Sequence, residues 1–441
     1  FALPASVRAS PFIQTPAMRF DTLSGWLTWQ ETLHPSTIDL GLERVGRVWA
    51  RLWPGALPFP VITVAGTNGK GSTVALLEAI YGAAGYRTAA YTSPHLLSYN
   101  ERIRLEGREV TDEYLCAAFA RVDAARGGDS LTYFEFGTLA ALDLFVRARP
   151  DLAILEVGLG GRLDAVNLVA ADLAIVTSIG RDHSAWLGET LAEIAGEKAG
   201  IFRPGHPVIL GQRDPQPVLL ERATALGCPT WVLGRDFDWR AEPPGWHWQG
   251  PGYPPLSLMP PALRGPIQFD NAATVITATA CLQARLPISV AHLRQGLQRV
   301  RLPGRFQVIT GAPAWILDVA HNGPAAQALA ASLATYPCAG RHHAVLGLLA
   351  DKEPAAVAGP LLDWVDCWHL GAADNPRALD VVALAAALEA LGQERGRALT
   401  LRTYPSLAAA IAGARAQALS GDCVLAYGSF TTVEAVLREL S

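Results

Sequence analysis

The sequence predicts an α/β protein built from two doubly wound domains. Three observations carry that reading. Apolar β-type runs alternate with Ala/Leu-rich helical stretches almost throughout the chain. The runs are continuously apolar, as strands of a parallel sheet covered on both faces must be. At 441 residues the chain is also too long for one typical core, so two domains are expected.

In the first domain the expected strands are Val61–Ala65, Thr88–Tyr91, Leu152–Val157, Leu173–Ile179 and Val208–Leu210, with helices such as Thr73–Ala84 and Tyr133–Arg147 between them. Ala241–Pro266 is dense in Pro, Gly and Trp and reads as irregular or hairpin structure at the domain edge. A helix from about Asn271 to Leu286 follows. Leu302-Pro-Gly-Arg305 is a turn, which sets the expected domains at residues 1–302 and 303–441. A second alternation then begins. Its strands are Ala314–Val319, His343–Leu348, Cys367–Leu370, Leu399–Thr403 and Cys423–Tyr427. Its helices are Ala325–Leu333, Pro354–Leu362, Leu379–Leu391 and Leu407–Gln417. A cleft between two such domains is the expected ligand site.

Half the residues are hydrophobic and 17% are charged, a composition that folds. The net charge of -4 gives no footprint for nucleic acid or an anionic membrane. No apolar run approaches the roughly 20 residues that span a bilayer. Phe1 to Ala17 lacks the basic leader and apolar block of a signal peptide and reads as a disordered extension before Met18. The six cysteines are scattered without a Cys-x-x-Cys. That pattern fits buried thiols in a reducing cytoplasm, not a disulfide framework or a zinc site.

The densest chemistry lies in Val61-Ile-Thr-Val-Ala-Gly-Thr-Asn-Gly-Lys-Gly-Ser-Thr73. It reads as a buried strand, a glycine-rich turn and the first turn of a helix. Such a turn aims backbone N–H groups and a helix N-terminus at one spot, where phosphate binds. Lys70 adds a mobile positive charge, and Ser72 and Thr73 add hydroxyls for magnesium. The general phosphate-loop pattern wants a glycine five residues before its Gly-Lys pair. Counted from Gly69, that position is Val64, so the general pattern fails. The tighter Gly66-Thr-Asn-Gly-Lys-Gly-Ser72 stands instead. The bland alternative is an ordinary strand–helix turn.

Other polar groups follow strand ends, where open α/β sheets bind ligands. Ser93, in Thr92-Ser-Pro-His95, offers an oxygen to magnesium or simply starts a turn. Glu156 sits in an apolar strand, so it needs a partner or a metal; magnesium and a buried salt bridge both satisfy it. Asp182 and His183 end another strand. A lone histidine is usually structural, but His183 could converge with Ser93 and Glu156 on one cation. Lys198, beside apolar residues, reads as a snorkelling surface lysine. In the second domain Asp318 could accept from a ribose hydroxyl, and His321 could neutralise phosphate or shuttle a proton. Arg305 is suited either to stabilising charge during phosphoryl transfer or to a linker salt bridge.

Together these segments closely resemble the bacterial dihydrofolate synthase/folylpolyglutamate synthase family of the Mur ligase superfamily. The resemblance runs from about Thr22 to the C-terminus. It is carried by Thr37-Ile-Asp-Leu-Gly-Leu-Glu-Arg44, Ser93-Pro-His-Leu96, Leu131-Thr-Tyr-Phe-Glu135, Leu155-Glu-Val-Gly-Leu-Gly-Gly-Arg-Leu-Asp-Ala165, Glu197-Lys-Ala-Gly-Ile-Phe202, Leu302-Pro-Gly-Arg-Phe306, Asp318-Val-Ala-His-Asn322 and Gly428-Ser-Phe430. It implies a P-loop-type doubly wound ATPase domain and a smaller C-terminal Rossmann-like domain. It implies that Asn68, Gly69, Lys70, Gly71 and Ser72 bind ATP phosphates, and that Ser93, Glu156 and His183 hold Mg2+. Asn271, Arg305 and Asp318 match ATP-contacting positions. Thr37, Ile38 and Asp39, Tyr133, Phe134 and Glu135, and Leu163, Asp164 and Ala165 match the dihydropteroate pocket. Lys198 matches the family's carbamylated lysine, which reverses its bland reading on the resemblance alone. Two loops depart from the family pattern: Gly180-Arg181 stands where a small or apolar residue and Leu are usual, and Asn322-Gly-Pro324 replaces the common Asn-Pro.

The implied reaction is ATP-dependent joining of L-glutamate to dihydropteroate and to tetrahydrofolate glutamates through an acyl phosphate. The expected protein is a monomer, placed in the cytoplasm by its scattered cysteines, with Lys70, Lys198, Arg305 and His321 in catalysis. The alternatives are a folylpolyglutamate synthase alone, another Mur-type amide ligase, or a nucleotide-binding protein without catalysis.

Overall fold

A computed structural model describes residues 17–440. The segment expected to be an extension lies almost wholly outside the described residues. Two sheets organise the rest. The first has eight strands in the order β4-β3-β2-β5-β1-β6-β7-β8. These are β1 Val61–Ala65, β2 Thr88–Tyr91, β3 Ile103–Leu105, β4 Arg108–Glu109, β5 Leu152–Glu156, β6 Leu173–Val176, β7 Val208–Leu210 and β8 Thr230–Val232. Strands β2, β5, β1, β6, β7 and β8 are parallel, and β3 and β4 add an antiparallel edge.

The apolar run of β1 is buried at every residue because both faces are covered. Val61 and Ala65 face a core shared with the helices Leu23–Thr32, Glu43–Leu52, Asp112–Arg126 and Tyr133–Ala148. Ile62 and Val64 face a second core under the helices Lys70–Ala83, Ile267–Cys281 and Val290–Arg299. The stretch expected to be irregular or hairpin belongs to a three-stranded antiparallel sheet, β9 Asp238–Glu242, β10 Gly245–Gln249 and β11 Leu256–Leu258. Its alternate tryptophans make it part of this core: Trp246 and Trp248 are fully buried, and Trp239 stacks on Phe269 at 4.8 Å.

The second sheet has the order β12-β13-β17-β14-β15-β16. Its strands are β12 Gln307–Ile309, β13 Ala314–Leu317, β14 His342–Leu346, β15 Cys367–Gly371, β16 Leu401–Tyr404 and β17 Cys423–Tyr427. All are parallel except β12. No helix among the described residues is long and apolar enough to cross a membrane, and all six cysteines are free thiols.

Element boundaries shift where polar groups have local work. Strand β6 stops at Val176, before Ile179, because Thr177 and Ser178 turn to hydrogen-bond a neighbouring loop. The first crossover helix begins at Lys70 rather than Thr73, because Gly69 at φ 88° caps it. The helix expected from Asn271 starts at Ile267 and ends at Cys281.

The helices Lys70–Ala83 and Val290–Arg299 touch backbone to backbone. A Cβ on Gly296 would lie 2.6 Å from Ile80 Cα and 2.7 Å from its nitrogen. Gly296→Ala is expected to lower stability by about 1–3 kcal/mol through overpacking. Urea unfolding measures this, and an unchanged midpoint would show that the two helices separate freely.

Candidate active site

The strand order decides which loops meet. With β2-β5-β1-β6 adjacent and parallel, four carboxyl ends open on one side of the sheet. They deliver Ser93, Glu156, the Gly66–Ser72 loop and the Thr177–His183 segment to one place. The loop is clamped from β6: Thr177 Oγ1 and Ser178 Oγ donate to the Asn68 carbonyl at 2.7 and 3.0 Å, and Thr67 N–H donates to the Ser178 carbonyl at 2.7 Å. Gly66, at φ 148°, has no room for a side chain because a Cβ would overlap Thr177 Oγ1. At Gly69 a Cβ would come 2.7 Å from Asn271 Oδ1, so Asn271 lies against the loop. Lys70 Nζ donates to the Gly66 and Thr67 carbonyls at 3.0 and 3.2 Å. Ser72 and Thr73 are both buried in the first helical turn.

Glu156 is buried beside this loop. Its nearest bonded neighbour is the Ser93 N–H, which donates to Oε2 at 3.3 Å. Burial pushes its pKa up, opposed chiefly by Lys70 and also by the Ser93 N–H and Arg305. A Cβ on Gly71 would lie 3.7 Å from Arg305 Nη2 and 3.8 Å from Glu156 Oε2. The loop of the first sheet, its buried carboxylate and an arginine from beyond the Leu302–Arg305 turn therefore meet. Arg305 also lies over the Phe430 ring at 5.3 Å and makes no close ion pair among the described residues, which removes the linker salt bridge. Asp318 accepts N–H bonds from Phe306 and Ala320, both at 2.8 Å, and so shapes the loop that carries Arg305.

Lys198 corrects the residue-level reading. It does not snorkel: it is buried at the end of the helix Leu191–Lys198. Burial, with repulsion from Lys70, brings its ammonium down to about 7.

A second cluster forms around Asp182. Its carboxylate accepts from Lys352 Nζ at 2.7 Å and from Asn322 Nδ2 at 3.0 Å, with His321 Nε2 at 3.4 Å and His183 Nε2 at 4.0 Å. Burial pushes the Asp182 carboxyl up, but the hydrogen bond to His321 and the charges of His183 and Lys352 outweigh it and hold the group well below the usual carboxylate range. Asn322 also exchanges two amide hydrogen bonds with Asn68, at 3.0 and 3.2 Å. His183 thus stands with Asp182, and among the described residues it makes no hydrogen bond to Ser93 or Glu156. Sequence reasoning missed Lys352. The available signal was its place just beyond β14, the same strand-end position as the other polar groups. The two departures from the family pattern touch each other. A Cβ on Gly180 would lie 3.2 Å from Pro324 Cγ, so the glycine makes room for the shifted proline.

The third group of expected residues surrounds Arg44. It donates to Asp39 Oδ2 at 2.7 Å and to Glu135 Oε1 at 2.9 Å. Glu135 also closes the capping box that starts the helix Tyr133–Ala148 with Thr132. The Phe134 ring packs across Gly158 and lies 5.9 Å from the Tyr91 ring. Asp164 accepts from Leu159 and Val166 N–H at 2.8 and 2.9 Å, and burial raises its carboxyl to about 6. Thr37 and Asp39 are exposed, Ile38, Tyr133 and Leu163 half-buried, and Ala165 buried.

Asp182→Asn leaves Lys352 with only the exposed Asp351 carboxylate, 3.1 Å away, as counter-charge, and about 2 kcal/mol of stability should be lost at neutral pH. Because the Asp182 pKa is lowered in the folded state, its contribution is present above the ordinary carboxylate pKa and is lost as pH falls through the folded value. Denaturant melts from pH 7 to pH 3 should show the gap between the two proteins constant near neutrality and beginning to narrow only below the ordinary carboxylate pKa. A gap that widens in acid would contradict the assignment.

Two family models match the chain: the Mur ligase middle domain over residues 64–238 and the Mur ligase glutamate ligase domain over residues 304–430. The chain is similar to the dihydrofolate synthase/folylpolyglutamate synthase of Escherichia coli strain K12, with 43% identity over 418 residues, 94% of this chain and 95% of that protein. A solved structure of Escherichia coli FolC in complex with DHPP and ADP matches with a TM-score of 0.88 and 42% identity, covering 95% of this chain and 97% of that one. The Yersinia pestis bifunctional folylpolyglutamate synthase/dihydrofolate synthase complexed with AMPPNP and Mn ion matches with a TM-score of 0.86 and 42% identity, covering 97% and 100%. The chain belongs to the dihydrofolate synthase/folylpolyglutamate synthase family of Mur ligases.

Proposed function

We propose that this chain is an ATP-dependent ligase that joins L-glutamate to dihydropteroate, giving dihydrofolate, and to tetrahydrofolate glutamates, giving folylpolyglutamates. The observation that carries the reading is the meeting of Gly71, Glu156 and Arg305, which surrounds a phosphate loop with charge from both sheets. Residues 1–302 act as the ATP- and pterin-binding domain and residues 303–441 as the ligase domain, working in the cytoplasm as a monomer.

In this reading Asn68, Gly69, Lys70, Gly71 and Ser72 hold the ATP phosphates, and Asn271 and Asp318 complete the nucleotide site. The buried Glu156 carboxylate, which among the described residues accepts one backbone N–H, that of Ser93, fits a hard cation. Ser93, Glu156 and His183 would hold Mg2+, which supplies charge neutralisation on phosphate oxygens. Thr37, Ile38, Asp39, Tyr133, Phe134, Glu135, Leu163, Asp164 and Ala165 line the pterin pocket.

The acceptor's carboxylate oxygen attacks the γ-phosphorus, the bond to ADP breaks, and an acyl phosphate forms. Lys70, Arg305 and the loop N–H groups take up the charge on the transferring group. The glutamate α-amine then attacks the acyl carbon. An amide forms, phosphate leaves, and the amine's proton passes to His321. Closing the two sheets over the cleft excludes water, which would otherwise hydrolyse the acyl phosphate. Lys198, whose burial lowers its ammonium to about 7 and so frees a substantial fraction of neutral amine near pH 7, is suited to carbamylation and to an anionic role beside the phosphate site.

ADP release should require both dihydropteroate, or a reduced folate, and glutamate; no release with any such acceptor would end the reading. Lys70→Ala should lower turnover by about 10²–10³-fold while the protein stays folded. Lys198→Ala should lose turnover and recover part of it with added short-chain carboxylates; undiminished turnover would remove the carbamate role.

A further inference from the structure

Away from the cleft, the second sheet buries three ligand-type side chains beside an apolar layer, with Asp422, Tyr404 and Arg402 as their polar neighbours. His343 is the second residue of β14, and Cys367 and His369 lie two residues apart in β15. His343 is in register with Cys367, so strand alternation puts all three on one face. The same face carries Val345, Val424 and Ala426 beneath the helix Leu407–Gln417. The three side chains are buried to 3%, 6% and 0% exposure.

Their donor atoms lie within 4.8 Å of one another. His343 Nδ1 and His369 Nε2 are 3.1 Å apart. The outward nitrogens face polar groups, although His343 Nε2 makes no hydrogen bond among the described residues. His343 Nε2 lies 3.4 Å from the Asp422 carboxylate, and His369 Nδ1 lies 3.1 Å from the Tyr404 hydroxyl. Asp422 is fixed in turn by N–H groups of Leu419 and Arg341, both at 2.7 Å.

We propose that His343, Cys367 and His369 form a binding site for one borderline-soft divalent cation of the Zn2+ class. Bonds of about 2.0–2.1 Å to nitrogen and about 2.3 Å to sulfur place tetrahedral donors roughly 3.3–3.6 Å apart, a short side-chain adjustment from the observed spacing. Nitrogen and thiolate donors select such a cation over magnesium. The outward partners are those a metal-bound imidazole needs: a carboxylate behind one ring and a hydroxyl oxygen behind the other. Apolar side chains would fill this layer without the cost of burying polar groups, so packing does not call for these three. The site lies toward the amino ends of β14 and β15, whereas His321 and Lys352 follow strand carboxyl ends. Its cation therefore staples two strands and takes no part in phosphoryl transfer.

The protons balance as follows. With both rings neutral, His343 keeps its proton on Nε2 toward Asp422. The His369 proton moves from Nε2 to Nδ1, where the Tyr404 oxygen accepts it. The Cys367 thiol releases its proton to solvent as the metal–sulfur bond forms. One proton is released per ion, with no change of oxidation state.

Cobalt(II) added to the chelator-treated full-length chain reads the site directly. One equivalent should produce a thiolate-to-cobalt charge-transfer band with tetrahedral d–d bands, bleached by Zn2+. The Glu156 site has no thiolate and cannot give that band. Cys367→Ser should abolish it, and Cys338→Ser and Cys423→Ser should leave it intact. Should Cys367→Ser fail to fold, His369→Gln should weaken cobalt binding at least tenfold. A folded wild-type chain without the band, or a band that survives Cys367→Ser, overturns the proposal. Either result leaves the ligase reading untouched.

Discussion

Asp182 is the anion on which the two sheets converge. It stands on the loop after β6, and its partners Lys352, His321 and Asn322 all come from the second sheet. A carboxylate largely shielded from water, as the Asp182 side chain is, is tolerated only with such partners. The second domain thus completes the coordination of a group in the first. The same contact positions Asn322 to exchange amide hydrogen bonds with Asn68 in the phosphate loop. Domain apposition and loop geometry are one problem, solved by one carboxylate and its neighbours.

The phosphate site shows the same division. Its donors are backbone N–H groups and Lys70 on one side, but its buried anion and Arg305 arrive from elsewhere. Glu156 reaches it because β5 pairs directly with β1, with Val64 opposite Glu156. Arg305 reaches it because Asp318 pins the turn on which it sits. Charges brought together in a water-poor cleft act more strongly than the same charges on a surface. That is the physical advantage of building the site from two sheets.

Much of the fold was legible because continuous apolar runs leave few options. The strands β1, β2, β7 and β17 fall where the hydrophobic pattern puts them. The edge strands β3, β4 and β12 were not legible, being short or only partly buried. In the Trp-rich stretch the hairpin alternative holds, as the antiparallel pairing of β9, β10 and β11, but Pro and Gly residues hide the alternation that buries Trp246 and Trp248. Lys198 shows the limit most sharply. One sequence window cannot distinguish a lysine stem lying along a surface from a lysine enclosed by a core.

The sequence by itself determined the alternation of strand and helix, the phosphate loop and the family motifs, because each is written in contiguous residues. Only the tertiary structure decided which strand ends share a cleft, that Asp182 gathers Lys352 and His321, and that Gly180 yields space to Pro324. Asn68 and Asn322 are 254 residues apart, yet they form a reciprocal amide pair. Such contacts follow from strand order and burial, which no local spacing encodes.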